Sequence, residues 1–464
     1  MRRLFATDLR SLAAFRIAVA LLLLVDLIDR ARDLTVHYTD FGVFPRAALS
    51  ALGGYFDLSF HALGGSTAFE AVLFTLAGGF ALLLLAGRWT RVASVVSWVF
   101  LVSLHHRNGY VLYGGDLFLR LLVFWGMFLP WGLRYSMDAR TSRARTPGNE
   151  IVSIGTAALL LQVVIVYVFT GLLKAKDPSW QDGSAVYYAV ALDTYARPLG
   201  AALLHFPRLM RGLSYATLIF ELAGPLLLLA TFRTPRLRIA TVAAFVVFQA
   251  SLGSFLSLGL FPWISTAAIL PFLPGSFWGK GRETVAERPT PVDPLPLPAR
   301  LFALYCLLMV FLWNLGTVFP LPLRNSVLWA PARLLALNQG WVMFIAPKVV
   351  DGWYVIPGRL EDGSSVDLFH WGQKIRWERP KDVPSDYKDF RWTKYMTNVW
   401  DDPALRPYFA WYLCYQWNRE AAEGRRLKDF EIVYQLERTR PDNPRPPPER
   451  VSLGRYLCGT DFSF

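Results

Sequence analysis

Ile151-Val-Ser-Ile-Gly-Thr-Ala-Ala-Leu-Leu-Leu-Gln162-Val-Val-Ile-Val-Tyr167-Val-Phe-Thr-Gly171-Leu-Leu-Lys174 is an almost unbroken apolar run that ends on a lysine. About 20 such residues cross a bilayer core as helix, because only intrahelical hydrogen bonds satisfy the backbone where there is no water. A charged amine at that boundary costs several kcal/mol unless it is paired, which points to a task for Lys174. The plainer alternative is that its stem snorkels to the headgroups. Tyr167, Gly171 and Lys174 lie four and three residues apart, so an aromatic ring, a gap and an amine share one helix face. A desolvated amine there can serve as a general base. Lys176 faces roughly the opposite way and ranks second.

Working outward, similar runs extend over Ser11 to Ile28, Phe69 to Ala86, Val92 to Leu104, Leu117 to Leu133, Leu213 to Phe232, Ile239 to Leu258, Phe261 to Phe277, and Leu301 to Val318. With Ile151 to Leu173 they predict an α-helical polytopic membrane bundle of eight or nine transmembrane helices. The count is open because Val92 to Leu104 is short and Phe261 to Phe277 is broken by Pro262, Pro271 and Pro274. A chain of 464 residues that is 54% hydrophobic and 15% aromatic is too apolar for a soluble enzyme of this size. Its mean hydropathy of +0.32 agrees. The net charge of +13 is spread through short loops and forms no single basic face, so nucleic acid is not an expected partner. No small-residue cleavage motif follows the first run, which reads as a retained span.

Short cytoplasmic loops retain Lys and Arg. With the N-terminus inside, the cytoplasmic groups are Arg2, Arg3 and Arg10, then Arg88 and Arg91, then Arg134, Arg140, Arg143 and Arg145, then Arg233, Arg236 and Arg238, then Lys280, Arg282 and Arg288. Nine spans deliver the remainder to the outside, so the expected arrangement is a multi-pass membrane protein with a cytoplasmic N-terminus and a C-terminus on the outer side. Residues 1–320 form the transmembrane domain and 321–464 a small β-rich or α+β domain. The two β-prone runs flanking Glu361-Asp-Gly-Ser predict a hairpin, since Asp-Gly favours tight turns. Glu283 to Pro298 reads as an extended Pro-rich linker, and no internal repeat is visible. Cys306 is expected as a buried thiol, whereas Cys414 and Cys458 face an oxidising compartment and are free to pair.

All six histidines, His37, His61, His105, His106, His205 and His370, fall on the outer side under this topology. Scattered histidines in loops are ordinary, and no spacing predicts a metal. No Walker loop, nucleophile elbow or dinucleotide fingerprint is present either. Polar residues inside spans say more, because each needs a partner or a wet cavity. Asp116 and Arg120, four apart, can pair on one helix face. Glu221, Gln162 and Gln249 lie deep in their spans.

Tyr38-Thr-Asp-Phe-Gly-Val-Phe-Pro-Arg46, Asn108 followed by Tyr113-Gly-Gly-Asp116, Tyr167 through Lys174 with Trp180-Gln-Asp-Gly183, Glu221-Leu-Ala-Gly and Phe255-Leu-Ser-Leu-Gly-Leu-Phe-Pro-Trp263 together resemble the HTTM (horizontally transferred transmembrane) domain. This is the family of vitamin K-dependent gamma-carboxylase and its bacterial relatives. The resemblance covers about residues 5 to 320, and Gln339-Gly-Trp through Asp362-Gly resembles the region that often follows. It implies oxidation of vitamin K hydroquinone, or another lipid quinol, by O₂ to an epoxide, with the strong base so formed removing a glutamate γ-proton before CO₂ adds. It places the initiating base at Lys174 and a quinone-holding amide at Asn108. Tyr167, Trp180, Asp116, Arg120, Glu221, Gln249, His105 and His106 are then the substrate-binding candidates, with no metal. Gln249 stands where the carboxylase has a histidine ahead of its glycine.

Two readings follow. One is an enzyme acting on a membrane-soluble quinol and on a periplasmic protein or small acceptor. The other is a non-catalytic module that binds a lipid or partner protein, with Asp116, Arg120 and Glu221 as packing contacts. A transporter is less supported, since no inverted repeat is visible.

Overall fold

The structure, a computed structural model, describes residues 2–54, 58–141, 148–279, 295–319, 329–440 and 447–459. Nine helices correspond to the apolar runs: α1 Leu9–Ala31, α2 Thr67–Ala86, α3 Thr90–Arg107, α4 Gly114–Gly126, α5 Ile154–Lys174, α6 Pro207–Ala230, α7 Pro235–Phe255, α8 Phe261–Ile269 and α9 Leu297–Val318. Six of these positions, all but α3, α4 and α8, are long and apolar enough to cross a membrane. The protein is a multi-pass membrane protein. The 13 residues of α4 reach only roughly 20 Å, about two-thirds of a hydrocarbon core. Its shortness is tolerated because almost every residue from Asp116 to Gly126 is buried in protein, where lipid thickness does not apply.

Burial sorts the long helices. The apolar window of α5 is 72% buried against 28% for α2, α6, α7 and α9, so α5 is the hub and the others face lipid. Gly171 lets α6 come close: a Cβ there would lie 2.8 Å from the Leu222 side chain.

The alternation of helix direction gathers the ends into two faces. On the first, Thr7 and Asp8 pair with Ile151 and Glu150, Leu9 N donates to the Asn149 carbonyl at 2.7 Å and Ser11 Oγ to the Leu273 carbonyl at 2.8 Å. Arg16 Nη2 reaches the Tyr135 carbonyl at 2.6 Å. The basic residues at the N-terminal ends of α1, α3 and α7 and the C-terminal ends of α2 and α6 belong here. Arg143, Arg145, Lys280, Arg282, Arg288 and the linker through residue 294 lie outside the described residues.

The tail sits on the opposite face, and its first stretch enters the bundle. Trp329, Ala332, Leu337 and Trp341 share the buried cluster built on Phe15, Phe118 and Trp125. Gln339 Oε1 accepts from Gln162 Nε2 at 3.0 Å and from Trp341 Nε1 at 2.9 Å, while Trp125 Nε1 donates to Gln162 Oε1 at 3.1 Å. A deep span glutamine therefore finds one partner in α4 and the other in a tail strap. Beyond it an antiparallel sheet forms from β1 Val350–Val355, β2 Pro357–Leu360, β3 Ser365–Asp367, β4 Leu427–Arg438 and β5 Glu449–Leu457. The spine is β4, which pairs with β1 and then β2 along one edge and with β5 along the other. The expected hairpin is β2 to β3, its turn permitted by Gly363 at φ 83°. Helices α10 Phe390–Asp401 and α11 Arg406–Glu420 cover the sheet, making the tail α+β. Cys414 on α11 is disulfide-bonded to Cys458 after β5, and Cys306 is a buried free thiol.

His370 gives the tail a pH dependence. Its Nδ1 lies 2.8 Å from Asp367 Oδ2 and its Nε2 3.0 Å from Asp386 Oδ1, and these hydrogen bonds, Asp367 first, raise it to about 10. A folded value above the unfolded one near 6.5 means the contribution is full below about pH 6.5 and is lost as pH rises toward 10. His370→Gln is expected to destabilise the tail by about 2 kcal/mol at pH 6, the scale of hydrogen bonds to charged groups, with the difference shrinking by pH 10. Thermal unfolding at both pH values tests this; an equal deficit at each would contradict it.

Candidate functional site

The residues expected to carry chemistry separate into three neighbouring groups. The first joins α5, α6 and α7. Lys174 Nζ donates to Glu221 Oε1 at 2.7 Å, with both side chains 7% exposed. The Trp180 ring lies 4.6 Å from the ammonium. Trp180 sits on a short helix capped by Asp177, and its Nε1 donates to the Phe344 carbonyl of the strap at 2.9 Å. Two turns below Lys174, the Tyr167 hydroxyl accepts from Gln249 Nε2 at 2.8 Å while its ring packs on Phe245. Lys174 is thus neither snorkelling nor bare: a carboxylate and an aromatic face compensate its burial. Glu221 Oε2 has no hydrogen-bond partner among the described residues. Lys176 Nζ serves elsewhere, donating to the Val318 carbonyl at the end of α9.

The second group is a buried charge cluster. Arg30 Nε contacts Asp26 Oδ2 at 2.8 Å and its Nη2 contacts Asp116 Oδ1 at 2.6 Å. Arg391 of α10 contacts Asp26 and Asp116 Oδ1, the latter at 3.1 Å. The Tyr113 amide donates to Asp116 Oδ2 at 3.0 Å. Arg391 Nη1 also donates to Oδ2 at 3.2 Å, so both oxygens of Asp116 are engaged from beyond its own helix. Arg120, spaced to pair with it, donates Nη2 to the Asn338 carbonyl at 3.4 Å. Asp26, His105 and Asp116 present ligand atoms within 4.8 Å of one another, the donor set of a metal site. Two carboxylates already balanced by two guanidinium groups do not fit a further cation, because the added positive charge would be buried without compensation.

The third group surrounds a cavity of about 670 Å³ between the end of α3, the start of α4, Trp313 of α9, the strap at Asn338 to Gly340 and Asn398 of α10. Its walls are apolar at Leu49, Leu52, Leu112 and Leu117 and polar at His105, His106, Tyr110 and Arg120. No carboxylate lines it among the described residues. His105 is 1% exposed, its Nε2 lies 4.0 Å from Asp116 Oδ1, and neither ring nitrogen has a hydrogen-bond partner among the described residues. His106 Nδ1 lies 3.0 Å from the Leu58 carbonyl. A second void, of about 20 Å³ beside Leu23 and His61, has room for little more than water.

Asn108 does not line the cavity. It is fully buried, its Nδ2 donates to the His37 carbonyl at 2.9 Å and its Oδ1 accepts from the Tyr110 amide at 3.1 Å, so it holds the turn that forms the cavity wall. Lys174, Tyr167, Trp180, Glu221 and Gln249 do not line it either; the strap connects the two places, since Gln339 lines the cavity and the Phe344 carbonyl holds Trp180. Sequence reasoning missed Asp26, Arg30, Gln339 and Arg391. A signal existed for the first two, which lie four apart inside the apolar α1. Arg391 and Gln339 meet the bundle only through long-range folding.

No curated protein and no solved structure matches the chain. The HTTM domain matches residues 5–277, a segment that holds the Lys174–Glu221 pair, the Asp26, Arg30 and Asp116 part of the charge cluster and the histidine wall of the cavity, and the chain belongs to the HTTM domain family.

Proposed function

We propose that this protein is a membrane enzyme of the gamma-carboxylase type that oxidises a lipid hydroquinone with O₂ and passes the resulting basicity to an acceptor, to which CO₂ adds. The observation that carries the reading is His105, buried at the cavity wall with neither ring nitrogen hydrogen-bonded among the described residues. A neutral imidazole offers one donor and one acceptor, the complement of a ring hydroxyl. The cavity's size is within the range of small-molecule sites, and its mix of apolar walls and a few polar groups suits a lipid-soluble ring. The Lys174–Glu221 pair acts as the proton-handling unit: Glu221 Oε2 accepts no hydrogen bond among the described residues and so has a lone pair for the proton, and Lys174 stabilises the carboxylate. Basic residues at the N-terminal face support a cytoplasmic N-terminus in the inner membrane. The tail's disulfide supports an oxidising compartment on the other side, where a periplasmic protein or small acceptor meets the site.

Purified protein supplied with vitamin K hydroquinone is expected to consume O₂ and to form the epoxide. His105→Ala should lower that turnover about a hundredfold, the scale of a lost acid–base or positioning group. Absence of turnover by the unaltered protein across a panel of lipid quinols removes the enzymatic reading. One finding favours the non-catalytic alternative, a lipid-binding module: Lys174 is closed off by Glu221 and Trp180 and does not line the cavity. On that reading the cavity retains a lipid through purification and no quinol is turned over.

A further inference from the structure

Three side chains of the tail helix α10 descend toward the membrane bundle from one face, at spacings of three and four: Arg391, Lys394 and Asn398. Arg391 grips Asp116 with a fork, Nη2 to Oδ1 at 3.1 Å and Nη1 to Oδ2 at 3.2 Å, contacts Asp26, and donates Nη1 to the Val111 carbonyl at 3.3 Å. Its guanidinium lies 5.4 Å from the Tyr113 ring centroid, and Phe390 meets the same ring edge-on at 5.0 Å. Tyr113 is a wall of the cavity. Asn398 Nδ2 donates to the Tyr110 carbonyl at 2.7 Å, and both residues line the cavity. Lys394 Nζ donates to the Tyr195 hydroxyl at 2.9 Å.

We propose that α10 is the roof of the membrane cavity and that Arg391 is its positioning residue, so that the binding site is complete only with the tail docked. The charge balance explains why an arginine is used. The buried Asp26 and Asp116 are matched by Arg30 and Arg391, whose Nε also meets the half-buried Asp29 at 3.3 Å; without Arg391 one buried negative charge is left over beside His105, with Asp29 unmatched nearby. A lysine restores the charge but not the fork that addresses both Asp116 oxygens, so Arg391→Lys is not a conservative change here. The identity of the ligand rests on the quinol reading; the positioning role does not.

Hydrogen exchange on the full chain in detergent, with binding of a short-chain naphthoquinone measured in parallel, tests both parts. In Arg391→Ala, exchange over residues 109–117 is expected to rise tenfold or more while residues 154–174 stay protected, and naphthoquinone binding to weaken tenfold or more. Arg391→Lys should fall between. If Arg391→Ala does not fold, Asp26→Asn with Arg391→Ala restores charge balance, and the same rise is expected in that double variant. Exchange within twofold of the unaltered protein in these variants overturns the proposal, as does naphthoquinone binding that is unchanged in them. Faster exchange together with no naphthoquinone binding by the unaltered protein upholds the positioning role and defeats the quinol reading.

Discussion

Replacing Lys174 by alanine is expected to destabilise the membrane bundle by about 3–5 kcal/mol, because it strands Glu221 as an uncompensated buried charge. Glu221 is 5% exposed, and among the described residues its carboxylate accepts a hydrogen bond from Lys174 Nζ alone. Water cannot take over that role between α5 and α6 without opening their contact at Gly171, where Leu222 is already close. The double change Lys174→Met with Glu221→Leu behaves differently, since replacing a whole buried pair by apolar groups of similar volume is often neutral or stabilising. Thermal unfolding in detergent separates the two. The double variant also divides stability from chemistry: a folded protein without quinol turnover makes the pair part of the mechanism, whereas full turnover reduces it to a packing contact. A single Lys174→Ala variant as stable as the unaltered protein would show that the pair is not a buried ionic contact at all.

Periodicity made the helices readable and left their partners dark. The nine apolar runs correspond to nine helices because a bilayer requires continuous hydrogen-bonded helix from any lipid-facing segment. Only six are long and apolar enough to span on those grounds alone. The polar last turn of α3, His105-His106-Arg107, makes sense only with the segment between α1 and α2 in place, since Arg107 Nη1 donates to the Phe44 carbonyl at 2.8 Å and His106 Nδ1 lies 3.0 Å from the Leu58 carbonyl. The Tyr167, Gly171 and Lys174 face was legible from spacing, and Gly171 does admit a neighbouring helix. That Glu221 would be the neighbour's contribution was not, because nothing local couples residue 174 to residue 221. The hairpin at Asp362-Gly363 was legible for the opposite reason, its whole cause lying within a few residues. Asn108, which the family resemblance singles out, has its donor and its acceptor both used by the backbone that shapes the turn. The strap at 338–344 belongs by sequence to the 321–464 tail, and nothing local in it marks a contact with the spans. In the structure Gln339 accepts a hydrogen bond from Gln162 of the bundle, and the Trp341 ring packs edge-on against Phe118.

Asp116→Asn is the companion test at the other end of the site, with an expected loss of about 3–5 kcal/mol, the range for breaking a buried ionic contact by removing one partner. The carboxylate receives Arg30, Arg391 and the Tyr113 amide at once, and it is 2% exposed. An asparagine keeps the shape and one carbonyl acceptor, but its amide nitrogen must then face guanidinium donors, and the net charge of the cluster moves from balanced to positive. Arg30 retains Asp26 and the Tyr38 hydroxyl at 2.7 Å, so α1 keeps its own anchor. Arg391 retains Asp26 and Asp29 but loses its fork, and the tail is the element expected to loosen. The loss should therefore be uneven, with residues 109–117 and 390–398 exposed to protease or exchange before α5 and α6 respond. Asp26→Asn makes the control: it removes an acceptor from the same two arginines yet leaves the Asp116 fork in place, so its effect on docking should be smaller. Equal loosening in both variants would mean that charge count alone holds the tail, and that the bidentate geometry at Asp116 contributes nothing of its own.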